Sequence, residues 1–134
     1  MIDPSLDLQA AIRDRLVNDP AVTALIAPAS IRDGNLRPDT FPGIIFGPSQ
    51  TVLENITFSR RHVRYFVDLH AWTKEAGTVA VKTLAAAVAL ALSTTPTHPG
   101  LIDFTVDQVR TMRDPGGEYG HAVISLSALV EAPE

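Results

Sequence analysis

The chain has 134 residues, 46% apolar and 19% charged, with a formal net charge of −4 at pH 7. That length supplies one domain, able to remove roughly two-thirds of its unfolded surface from water, and the composition excludes intrinsic disorder. The acidic balance lacks the basic footprint of a dedicated nucleic-acid binder, and the absence of cysteine excludes disulfides, thiolate metal sites and a cysteine nucleophile.

The opening MIDPSLDLQAAIRD has no basic start followed by an apolar run, so it is not read as a signal peptide. The most apolar stretch, Val79 to Leu92, is too short to span a bilayer. A soluble protein of the cytoplasm, or of a particle assembled there, is expected. A first helix is predicted to begin near Asp3-Pro4 or Ser5, with Asp3 capping free amides and Pro4 suited to the first helical position. Leu8, Ile12 and Leu16, with Ala11 beside them, place one stripe on a core. Asn18-Asp19-Pro20 ends that helix and starts a short second one around Val22, Leu25 and Ile26, stopped by Pro28. Ser30 to Pro42 reads as loop with a short strand at Ile31-Arg32. Gly43 to Gly47, between Pro42 and Pro48, reads as a buried strand. Gln50 to Arg61 is more polar and is expected to project as a loop or long hairpin arm.

The run from His62 to Thr73 is the clearest strand. Val63, Tyr65, Val67, Leu69 and Ala71 alternate onto a core face, leaving Arg64, Phe66, Asp68, His70 and Trp72 on the other, where two aromatics need cover. A helix from Glu75 to Leu92, with Thr73 as its cap, carries the stripe Val81, Leu84, Ala85, Val88 and Leu92. Its other faces are mostly alanine, with Lys82 the one charge after Glu75, so it is expected to pack on more than one side or to meet another subunit. Ile102, Phe104 and Val106 alternate, and a slip at Asp107-Gln108 predicts a bulge. Asp114-Pro115-Gly116-Gly117 is a turn signal, and Ala122, Ile124, Leu126, Ala128 and Val130 alternate in a last strand, giving a closing hairpin. The order predicts an α+β domain over residues 1–134, a mostly antiparallel β-sheet with helices packed on one face.

No motif carries chemistry. His62, His70, His98 and His121 show no metal-ligand spacing. Serine, histidine and aspartate occur without a G-x-S-x-G elbow. Gly116-Gly117 precedes a strand, not the helix a phosphate loop requires. The reading is therefore no enzyme, no catalytic residue, no cofactor and no metal. Arg60-Arg61 and the pair Arg110 and Arg113 are ordinary surface charge or a contact with an acidic rim.

Four segments, LQAAIRDRLVNDPAVTALI, PGIIFG, HVRYFVDLHAWTKEAGTVAVKTLAAAVALAL and VRTMRDPGGEYGHAVISLSALVE, resemble in order and spacing the small tail-completion proteins of siphophages, the family that includes tail terminators and also occurs in gene transfer agents. The resemblance covers nearly the whole chain. It implies a ring-forming structural subunit, commonly a hexamer, that caps the tail tube at its head-proximal end and offers the head-to-tail joining surface. The implied partners are further copies of the chain, the tail tube protein and a head-side neck or stopper protein, with no membrane and no specific nucleic-acid binding, though DNA would pass through the ring. The implied place is the tail of a virion or phage-like particle assembled in the host cytoplasm. Alternatives are a neck or stopper protein, or a small cytoplasmic ligand-binding module or enzyme. The expected interface residues are Phe58, Arg60, Arg61, Phe66, His70, Trp72 and Arg113, with Thr51 to Arg61 as an arm reaching a neighbour or extending the two flanking strands.

Overall fold

A computed structural model of the chain describes residues 3–34, 37–54 and 61–131. Helix α1 (Ser5–Val17) buries Leu8, Ile12 and Leu16, the residues that four-residue spacing puts on one stripe. Asp3 accepts a 2.9 Å hydrogen bond from the Ser5 amide at its start, and Pro4 precedes the helix instead of opening it. Helix α2 (Pro20–Thr23) is capped by Asp19, which accepts from the amides of Ala21 and Val22 at 2.9 and 3.3 Å. A 3-10 turn at Pro28–Ser30 leads into β1 (Ile31–Asp33).

The remaining elements are β2 (Gly43–Glu54), β3 (His62–Lys74), α3 (Val79–Ala91), β4 (Leu101–Arg113) and β5 (Tyr119–Glu131). They form one five-stranded sheet in the order β1-β2-β3-β5-β4, antiparallel except for β1 against β2. The β3–α3–β4–β5 path places the last strand beside β3, so β4 lies at an edge. The helices lie on one face, where α1 and α3 meet the alternating residues Val63, Tyr65, Val67, Leu69 and Ala71 of β3 and Ala122, Ile124, Leu126, Ala128 and Val130 of β5. The fold class is α+β. No helix among the described residues is long and apolar enough to cross a membrane.

Gln50 to Glu54 is strand, not loop. Its residues pair one for one with β3, from Gln50 opposite Phe66 to Glu54 opposite His62. Thr51 and Val52 suit an extended backbone, and β3 offers them a ladder. Residues 55–60, including Phe58 and Arg60, lie outside the described residues.

Helix α3 begins four residues later than its composition suggests, and Thr73 is not its cap. The Glu75 side chain reaches forward and accepts from the amides of Ala80 and Val81 at 3.1 and 3.0 Å. Thr73 donates its hydroxyl proton to that same carboxylate. Burial pushes the Glu75 carboxyl up, but the Thr73 hydroxyl and the amides of Ala80, Val81 and Val79 outweigh it and hold the pKa below its usual value. The slip at Asp107 is a register shift between Val106 and Gln108, and a second one lies between Leu101 and Asp103.

Candidate assembly surface

The face of the sheet away from the helices is laid out in rows, because residues paired across strands share a face. One row is Gly43, Trp72, His121 and Met112; the next is Ile45, His70, Val123 and Arg110. At this end His121 stacks on Trp72 with ring centroids 3.8 Å apart and planes 9° from parallel. His70 lies beside it, its Nδ1 sharing a hydrogen bond with His121 Nε2 at 2.8 Å. Arg37 closes the stack from the loop before β2. Its guanidinium sits 5.3 Å from the Trp72 ring and 4.6 Å from the Tyr119 ring and donates to Asp114 at 2.8 Å. Phe41 stacks on Tyr119 at 4.9 Å.

Both histidines are biased toward the neutral form. Burial pushes His121 down to about 4, with His70, Arg110 and Arg37 acting the same way against Asp114. Burial and Arg110 also lower His70, against Asp68. Gly47 makes room for the His70 ring, since a Cβ there would lie 2.6 Å from His70 Cδ2.

The middle of the face is polar. Ser125 donates to Asp68 at 2.9 Å. Asp107 accepts from Thr105 and Ser127 at 2.8 and 3.1 Å. The far end carries Phe66, 38% exposed, the Arg64–Glu54 pair at 3.0 Å, and Glu131 between Arg61 and His62 at 3.2 and 3.3 Å.

On the opposite side of the molecule, α3 packs one way only. Val81, Leu84, Ala85, Val88 and Ala91 are buried. Val79 and Leu90 stand 77% and 72% exposed, with Ala80 and Ala86 exposed between them. A groove lined by Leu25, Phe41, Pro42, Thr73, Lys74, Ala80, Thr83 and Leu84 runs beside this helix, apolar apart from the two threonines and the lysine. No cluster of three or more possible metal ligands occurs among the described residues.

The residues singled out from the sequence therefore scatter. Phe66 is half exposed at one end of the free face, and Arg113 is exposed on edge strand β4. Arg61 is part-buried in its pair with Glu131. Trp72 is only 4% exposed, and its cover comes from Arg37 and His121 of the same chain. His70 is packed against His121. Sequence reasoning missed Arg37, Phe41, Tyr119 and Asp114. The signal was present in the paired aromatics, but the pairing requires a loop and a turn, Asp114 being far from Arg37 in sequence, to meet over one strand.

The profile of the family described as Tail completion protein gp17 matches residues 10–131. The chain belongs to that tail completion family. It is accordingly a structural protein of the tail of a phage or phage-like particle. Two solved structures are similar to this member. A chain of the virion of a native gene transfer agent particle aligns with a TM-score of 0.76 and 21% identity, covering 93% of this chain and 95% of the other. The bacteriophage SPP1 gp17 protein aligns with a TM-score of 0.60 and 20% identity, covering 95% and 91%. Among curated proteins no match was found. At these identities the two structures establish the shared fold, and the tail role rests on the family profile.

Proposed function

We propose that this chain is the tail terminator: a subunit of a closed ring, six copies in the simplest case, that caps the tail tube at its head-proximal end and presents the surface to which the head-side stopper binds. The observation that carries this reading beyond family membership is the outer face of α3. A helix with Val79, Ala80, Ala86 and Leu90 turned to water, interrupted by Lys82 and Thr83, exposes apolar surface at both its ends. Burial against neighbours or the tube removes it. Phe66 and Arg113, both exposed, are assigned to the contact surface, with Phe58, Arg60 and Arg61 at the β2–β3 end. Trp72 supports that surface from beneath by holding the Arg37 guanidinium, and His70 by packing against His121. The protein acts by shape and surface, with no catalytic step.

Particles made without this chain test the reading. Tails of uncontrolled length that fail to join heads are the expected outcome, together with a ring density at the head-proximal tail end in particles that carry it. Normal tail length and normal joining in its absence would refute the terminator role.

A further inference from the structure

The sheet ends in two unequal open edges. On one side β1 covers only Ile44 to Phe46 of β2, so no described strand pairs with the outer side of Ser49 to Glu54. On the other side β4 is the terminal strand over its whole length. Neither stretch contains proline or lysine, and the bulges of β4 and its charged Asp107, Arg110 and Arg113, which also blunt an edge, lie outside the run from Asp103 to Val106. Both carry exposed apolar side chains, Val52 and Leu53 on β2 and Ile102 and Val109 on β4. The two bulges of β4 leave a regular run from Asp103 to Val106 between them. Following the pairings across the sheet, Asp103 is level with Leu129, Arg64 and Val52, and Val106 with Leu126, Val67 and Ser49. The regular window on one edge is therefore level with the uncovered window on the other.

We infer that these two edges pair between neighbouring copies, β4 of one subunit adding to Ser49–Val52 of the next, so that the sheets join around the ring. The inference rests on the ring reading above and names its interface. Strand direction agrees. Three antiparallel steps separate β2 from β4, so the two edges run oppositely. A rotation about an axis near the strand direction preserves each strand's sense and brings β4 against β2 as an antiparallel pair. Two different edges of one chain make a head-to-tail contact. When it closes, both windows have a partner. A second copy is thus the occupant that satisfies both edges at once.

The chain has no cysteine, so engineered thiols report without background. Directly paired strand positions fall within disulfide reach. Side chains must share a face to meet, and a register stagger has to be even. In assembled particles, Val52→Cys combined with Asp103→Cys or with Thr105→Cys is expected to give, on mild oxidation, a ladder of covalent multiples for at least one pair. Each single variant should stay at one chain. Val52→Cys with Val106→Cys, whose side chain lies on the helix face, should give no ladder. As a second readout, backbone amides of residues 49–52 and 103–106 of the unsubstituted chain should exchange more slowly in particles than in the isolated protein. Particles with an imaged ring but no ladder and no slowed exchange overturn the edge pairing and leave the terminator reading standing. Particles with no ring at the tail end overturn both.

Discussion

At the scale of single residues, His121 decides how the free face is held, and Gly120 how closely the start of α3 packs on the opposite face. His121 is neutral in the fold because burial and the neighbouring His70 oppose its charge, taking its pKa from 6.5 to about 4. Above pH 6.5 neither the folded nor the unfolded chain carries that proton, and the contribution of His121 is fully present. As pH falls toward about 4 the unfolded chain takes up the proton first, so stability is lost. The melting temperature should therefore drop between pH 6.5 and 5 more steeply in the parent than in His121→Gln. Parallel curves for the two would show that the stack does not control this titration. Gly120 is constrained by contact, not by backbone angle. A Cβ there would lie 2.5 Å from Thr73 Oγ1, 2.9 Å from Glu75 Oε2 and 3.0 Å from Val81 Cβ. Gly120→Ala should cost about 1–3 kcal/mol, the usual range for overpacking, measured by denaturant unfolding. A cost near zero would mean that the Thr73–Glu75 cap yields freely.

At the scale of elements, α3 is the informative one. Its start is held by the Glu75 carboxylate across a loop containing Gly77, and its stripe is held by the sheet. The two contributions differ in size. Glu75→Ala removes a cap and should destabilise by about 1 kcal/mol. Leu84→Ala empties a buried site and should cost about 2–5 kcal/mol. Chemical denaturation of both variants checks the ordering, and a Glu75 variant as damaged as the Leu84 variant would contradict it. The alternation of β3 and β5 made their core faces legible in the sequence, because strand periodicity depends only on which side is dry. The helix start was not legible: Glu75 reaches Ala80 and Val81 through a bend whose path is decided by β5 pairing beside it, with the Glu75 amide bonded to the Glu118 carbonyl at 3.0 Å.

At the scale of the whole molecule, stability and assembly should separate. The outer strip of α3 contributes nothing to the chain's own core, so changing its polarity should leave the fold intact. Val79→Glu places a negative charge in the first turn and Leu90→Lys a positive one in the last, both favourable to the helix dipole. The double variant should unfold within about 0.5 kcal/mol of the parent, as exposed substitutions do. It should nonetheless fail to restore joined particles in a complementation assay. Full complementation would remove the α3 strip from the assembly surface.

The amino-acid sequence by itself determined the element order, the two core stripes, the closing hairpin, the bulge at Asp107 and the absence of any catalytic motif. Each follows from local periodicity or turn chemistry, with the turn held by the Gly117 amide on the Asp114 carbonyl at 2.9 Å. Its resemblance to tail-completion proteins was legible as an ordered set of such segments and is matched by the family profile. Only the tertiary structure decided what covers Trp72. The Arg37 guanidinium meets Trp72 and Asp114 through contacts distant in sequence, and no period along the chain encodes them. Strand order also belongs to the tertiary structure. Placing β5 between β3 and β4 leaves β4 and the end of β2 as open edges, because β5, with Ala122, Ile124, Leu126, Ala128 and Val130 all buried on its core face, gains most from neighbours on both sides.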